Sequence, residues 1–279
     1  TVDFAVFETA RGGMMRSGLG YDLSDVGVVT NVASDHLGLR GIHTLEQLTR
    51  LKSLVAENVR PEGYAVLNAD DLNVYSMREN VPCHAALFSM EASNPRIKDH
   101  CAKGRTAAVY DEGSITLLKG DWAIQVDKVI NIPLTYSGKA AFQIQNVLAA
   151  SLAAFVQEVS VEEIRIGLQT FFPSSAQLPG RMNIFEFEKY KVLIDYARGR
   201  DSKEVMDLIV QGAKSNPKQP DIQIILDEDQ AVDHALATAG WKTVIVVFTG
   251  RIEAMTAKIK DWKEKELDLT ITREDIPNM

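Results

Sequence analysis

Short apolar runs that do not alternate set the fold class of this chain. Residues 26–30 (VGVVT) and 64–67 (YAVL) place apolar side chains on consecutive positions, and 3–8 (DFAVFE) does so between acidic ends. A strand with one wet face alternates apolar and polar residues. Continuous runs belong to strands covered on both faces, the habit of parallel sheets. Between two of these runs, 44–58 carries Leu45, Leu48, Leu51 and Val55 on one helical stripe. Thr44 can N-cap that helix, and Gln47 sits at the capping-box position. A loop with four glycines at 11–20 and a turn at Pro61-Glu62-Gly63 complete the rhythm of an α/β domain.

Further on the pattern shortens. Residues 107–110, 114–118 and 122–126 read as strands joined by tight turns at Asp111-Glu112-Gly113 and Lys119-Gly120-Asp121, a β-meander or an antiparallel edge. Two helices follow, 139–158 and 161–171. Residues 172–180 hold Pro173, Ser174, Ser175, Pro179 and Gly180 and read as a linker, which divides the chain into domains at 1–172 and 180–279. The second domain opens with a hairpin-like pair, 183–187 and 191–195. It continues as a smaller α/β unit, with helices near 202–214, 229–239 and 253–263 and strands at 222–226 and 243–248.

Charge and cysteine usage narrow the function classes. Lys and Arg total 30 against 38 Asp and Glu, a net charge of −8. A phosphate-coating protein needs a basic face, so nucleic acid is not an expected partner. The longest near-apolar run, 147–156, is half the ~20 residues of a membrane span, and no signal-like segment is read at the start of the sequence. Cys83 and Cys101 cannot form a disulfide framework, which points to the cytoplasm. With His84 and His100 they lack metal-ligand spacing and read as structural, while His43 and His234 read as solvent-facing.

Glu8 ends one apolar run and meets the glycine loop, while Asp35-His36 follows the end of the next. Ligands of open parallel sheets bind beyond the carboxyl ends of the strands. If those strands are neighbours, a carboxylate and an imidazole meet at one crevice, a shell that suits nucleotide-bound Mg²⁺. A helix cap and a surface histidine are the plain alternative. Arg11 and Arg16 flank glycines whose N–H groups can face an anion, although no Walker A sequence occurs. Lys52 lies beside the apolar stripe, where a lysine either snorkels or acts desolvated. Asn68-Ala69-Asp70-Asp71 reads as a capped turn or a ligand group, and Asp195 shares the strand-end logic of Glu8.

Taken together, Phe7-Glu8-Thr9-Ala10-Arg11-Gly12-Gly13, Arg16-Ser17-Gly18-Leu19-Gly20, Thr30-Asn31-Val32 with Asp35-His36-Leu37-Gly38, Lys52, Asn68 to Asp71, Asn146 to Ala150, Leu178-Pro179-Gly180-Arg181 and Asp195-Tyr196-Ala197 resemble, in this order, the Mur-ligase-like region of the cyanophycin synthetase family. The resemblance implies a central three-layer α/β domain with a β-rich insertion and a smaller Rossmann-like C-terminal α/β domain. It implies ATP-dependent amide formation through an acyl phosphate, with arginine joined to the β-carboxylate of an aspartate-backbone polymer, or a preformed dipeptide as substrate. By that resemblance Glu8 and His36 hold Mg²⁺. Lys52, His36 and Arg11 serve catalysis, Lys52 matching a lysine carbamylated in several Mur ligases. Asn68, Asp71 and Asn146 lie with the nucleotide, Arg181 reaches the ATP phosphates and Asp195 the ribose. A homo-oligomer is implied as well. The family also carries a phosphate-binding glycine loop upstream of Thr1. It continues Asp-Tyr-Ala differently from Arg198-Gly199-Arg200, as though one or more βα units were missing after Ala197. A non-catalytic scaffold, a peptidoglycan-type Mur ligase and a folylpolyglutamate-type ligase are the alternatives; the ETARGG segment speaks against the last two.

Overall fold

The computed structural model describes residues 2–34, 37–38, 41–196, 211, 223–225 and 227–274, with side chains as far as 266. The chain divides into two compact units, Thr1–Phe172 and Pro173–Met279.

The first unit is a six-stranded sheet in which spatial order follows chain order. Its strands are β1 (Ser24–Val29), β2 (Val59–Asn68), β3 (His84–Ser89), β4 (Thr106–Asp111), β5 (Ser114–Lys119) and β6 (Trp122–Lys128). The pairs from β1 to β4 are parallel. The pairs from β4 to β6 are antiparallel. The β-rich part of the sequence is therefore an antiparallel edge of the same sheet. Its first turn places Glu112 at φ 44° and Gly113 at φ 83°, the left-handed pair that a two-residue hairpin needs.

Helices cover both faces. On one lie α2 (Leu45–Glu57), the short α3 (Leu72–Ser76) and α4 (Pro95–Ala102), after the short α1 (Arg11–Ser17) that precedes β1. Leu48, Ala56, Val74, Ile97 and Cys101 meet Ala65, Leu67, Leu87 and Ala107 there. On the other lie α5 (Ala141–Phe155) and α6 (Val161–Thr170). Ile144, Leu148 and Leu152 meet Val66, Ala86, Phe88 and Ala108. Consecutive strand residues thus enter opposite cores, the physical reason that the apolar runs do not alternate. The capping box read at Thr44 and Gln47 is formed. Gly27 lets β1 approach α2, since a Cβ there would stand 2.4 Å from the Val55 carbonyl oxygen.

Three local expectations change. Residues 3–8 form no strand; Phe4, Val6 and Phe7 are 63%, 96% and 71% exposed. An apolar run becomes a strand only with a ladder partner, and among the described residues β1 pairs with β2 alone. The glycine loop is largely helix: α1 spans Arg11–Ser17, anchored by buried Met14 and stopped by Gly18 at φ 71°. The turn at Pro61-Glu62-Gly63 lies within β2, as a bulge. Ser24 pairs with Val59 but Val26 with Tyr64, so β2 spends extra residues there. The sequence reading also passed over β3, α3 and α4.

The second unit has β7 (Asn183–Glu186) antiparallel to β8 (Tyr190–Tyr196), and β8 parallel to β9 (Thr243–Thr249). Helices α7 (Glu228–Thr238) and α8 (Ile252–Glu274) supply Val232, Leu236, Met255 and Ile259 to a core with Val192 and Ile194. The helix read at 202–214 lies outside the described residues apart from Gln211. Of the strand read at 222–226, the described residues 223–225 carry no strand.

Candidate functional site

The carboxyl ends of β1, β2 and β3 are laced together by side chains of the predicted site. Asn68 is buried; its Nδ2 donates to the Thr30 carbonyl at 2.8 Å, and its Oδ1 accepts from the Asp70 N–H at 2.8 Å. Asp71 N-caps α3, its Oδ1 accepting from the N–H groups of Asn73 and Val74 at 2.9 and 3.1 Å. Its Oδ2 accepts from the Val32 N–H at 2.7 Å, which holds the chain leaving β1 against the end of β2. Lys52 reaches across from α2, with its ammonium donating to the Asn31 carbonyl at 2.8 Å. Lys52, Asn68 and Asp71 therefore gather at the end of β1; the crevice read between that strand end and a strand at 3–8 does not form as such, because 3–8 is not a strand.

A second network, absent from the sequence reading, lies alongside. The Asp70 carboxylate accepts from Ser89 Oγ at 2.6 Å, from the Met90 N–H at 2.7 Å and from Asn94 Nδ2 at 2.9 Å. Arg96 donates to the Ala69 carbonyl at 2.5 Å, and its guanidinium lies 4.5 Å from the centre of the Tyr75 ring. The available signal was Asn94-Pro95, an N-cap followed by proline at the first helical position, which fixes the start of α4.

The other predicted residues are placed less closely. Glu8 is exposed and has no hydrogen bond or ion pair among the described residues. Its neighbour Phe7 stacks on Tyr21, ring centres 6.4 Å apart. Arg11 opens α1. His36 lies outside the described residues, which hold no group of three His, Cys, Asp or Glu side chains able to bind a metal. Asn146 sits on an exposed face of α5, its Nδ2 donating to Gln143 Oε1 at 3.0 Å. In the second unit the Arg181 guanidinium lies 5.5 Å from the centre of the Tyr196 ring. Asp195 is the last residue but one of β8, with its Oδ1 accepting from the Tyr196 N–H at 2.9 Å. The Leu178-Pro179-Gly180-Arg181 turn is held by buried Asn183, which accepts from the Gly180 N–H at 2.7 Å and donates to the Leu178 carbonyl at 2.9 Å. Gly180, at φ 70°, lies so close to α8 that a Cβ would stand 2.6 Å from Ile252 Cδ1.

A three-layer unit with a polar crown at the carboxyl ends of its parallel strands is widely shared, and comparison with known proteins separates the possibilities. The Mur ligase middle domain family matches residues 1–154. The chain belongs to the Mur ligase family. Among curated relatives, a cyanophycin synthetase from Nostoc sp. strain PCC 7120 is 50% identical over 218 residues, 78% of this chain and 24% of the relative. One from Synechocystis sp. strain PCC 6803 is 39% identical over 317 aligned positions, 93% of this chain and 36% of the relative. This chain thus spans about a quarter to a third of the relatives' length. A solved Mur ligase, MurF from Thermotoga maritima in complex with ADP, shares the fold at TM-score 0.51 and 19% identity, covering 89% of this chain and 63% of that one. No helix among the described residues is long and apolar enough to cross a membrane.

Proposed function

We propose that this chain supplies the ATP-handling and adjoining C-terminal regions of an amide-forming ligase of the cyanophycin synthetase type. The observation that carries this is the 50% identity with a cyanophycin synthetase over 78% of the chain. A substrate carboxylate attacks the γ-phosphorus of ATP and ADP leaves. The resulting acyl phosphate is attacked by an amine, arginine or the amine of a preformed dipeptide, with loss of phosphate. Such chemistry asks the protein for positioning and charge neutralisation.

The residues have distinct parts in this reading. Asn68 and Asp71 spend their polar atoms on Thr30, Val32 and the start of α3, so their contribution is to hold the floor on which the nucleotide lies. Lys52 sets a positive charge over the end of β1. Arg11 and Arg181 bring guanidinium groups to anionic oxygens, while Asn146 and Asp195 offer polar contacts to the nucleoside. Glu8 fits a Mg²⁺ that keeps most of its waters: its carboxylate is exposed and uncommitted among the described residues, and His36 would share the ion. When bound, Mg²⁺ neutralises charge on the phosphate oxygens. The Synechocystis alignment spans 317 positions, more than the 279 residues of this chain, so that relative carries segments without counterpart here. A homo-oligomer in the cytoplasm is part of the same reading.

The test is phosphate release from ATP with an aspartate-backbone primer and arginine, run in parallel with the β-aspartyl-arginine dipeptide. Lys52→Met is expected to lower the rate at least ~100-fold, the scale of removing one electrostatic partner of a transition state, while the thermal melt is unchanged. ATP binding without phosphate release from either substrate set would overturn the ligase reading in favour of a scaffold.

A further inference from the structure

The amino ends of the parallel strands, opposite the crown, carry two adjoining cavities. One, of about 370 Å³, is lined by Tyr64, Arg78, Cys83, His84, Arg105 and Lys119 among others. The second, of about 350 Å³, is lined by Phe155, Val156, Val159 and Val161, with Glu158 and Ser160. Tyr64, Thr106 and Lys119 line both, so the two open into one groove. The strand register explains the junction: Tyr64 pairs with His84, and Thr106 with Lys119.

The groove has two chemical halves. In the first, Arg78 is committed: it donates to the Tyr75 carbonyl at 2.8 Å, stacks on that ring and pairs with Glu79 at 3.1 Å. Arg105 and Lys119 are exposed, and their side chains make no hydrogen bond or ion pair among the described residues. Three cations, Arg78, Arg105 and Lys119, line this cavity against one carboxylate, Glu79, on a chain of net charge −8. The tilted Tyr64 and His84 rings, centres 5.4 Å apart, form a wall. In the second half the walls are apolar. Phe155 is backed by Trp122, the ring centres 6.0 Å apart, and Trp122 is the strand partner of Lys119. Glu158 lines the second cavity, which Lys119 shares, whereas Arg78 and Arg105 line the first alone.

We propose that this groove is a second binding site, for a small organic anion with an apolar or aromatic body. The carboxylate, phosphate or sulfonate group would lie between Arg105 and Lys119, and the body along Phe155 and Val159. Charge complementarity selects the ligand class: a bare anion would leave the apolar half wet, and a neutral apolar molecule would leave the cations unanswered. The site is independent of the ligase reading, because none of its residues belongs to the strand-end crown.

The probe is 8-anilinonaphthalene-1-sulfonate, titrated into the intact protein by fluorescence. Cys83 lines the cationic half and is partly exposed, whereas Cys101 is buried, so alkylation by iodoacetamide reports where the probe sits. The expected result is one saturable site, protection of Cys83 at saturation with Cys101 unchanged, and at least ~10-fold weaker binding in R105Q/K119Q with an unchanged melt. Adenosine monophosphate and octanoate as competitors distinguish a phosphate ester from a carboxylate as the preferred anion. Unchanged alkylation of Cys83 at saturating probe would overturn the proposal, as would equal binding by R105Q/K119Q. Neither result depends on turnover of ATP.

Discussion

At the scale of single residues, Asp71 has the clearest consequence. One carboxylate caps α3 and ties Val32 to the end of β2. Asp71→Ala should therefore destabilise the first unit by about 1–3 kcal/mol in urea titrations, beyond an ordinary cap loss because a partly buried N–H is left unpaired. His100 gives a second prediction. It is 3% exposed, with Nε2 3.2 Å from the Thr106 carbonyl. Burial, aided by the Arg105 charge, lowers its pKa from 6.5 to about 4. The unfolded chain therefore takes up this proton first. Stability from this group is present above pH 6.5 and is lost as pH falls toward 4, by roughly 1–3 kcal/mol. His100→Gln should flatten that part of a stability-versus-pH curve. Reading His100 as structural followed from its lack of metal spacing. That Asn68 and Asp71 turn their polar atoms inward was beyond the sequence, because their partners, Thr30 and Val32, lie 38 and 39 positions away.

At the scale of elements, the continuous apolar runs at 26–30 and 64–67 announced strands with two covered faces, and the caps of α2 and α6 are written locally as Thr44 with Gln47 and Ser160 with Glu163. Thr44→Ala should cost about 1 kcal/mol, seen as a lower melting temperature. Gly27→Ala should cost more, about 1–3 kcal/mol, because the new methyl meets a helix carbonyl that cannot rotate away. Residues 3–8 show where local pattern stops. Their composition is that of a buried strand, yet a strand is a relation between two segments, and composition does not name the second one. The short helices α3 and α4 were illegible for a related reason: α3 has five residues, too few for a period to show.

At the scale of the whole molecule, the division after Phe172 coincides with a segment rich in proline and serine. Brief chymotrypsin treatment should cut at Phe171 or Phe172, which are 37% and 59% exposed, before it cuts within β1 to β6. Earlier cleavage within the six strands would contradict the two-unit description. The sheet of the first unit also carries a timetable. Its spatial order is the order of synthesis, so each strand leaving the ribosome has its neighbour already in place. One face can close during that growth, since α2, α3 and α4 are interleaved with the strands. The other waits for α5, which is made only after all six strands. A nascent chain halted between β6 and α5 should therefore display Val66, Phe88, Ala108 and Leu117 on a bare apolar surface, a client for chaperones that vanishes within the next few turns of helix.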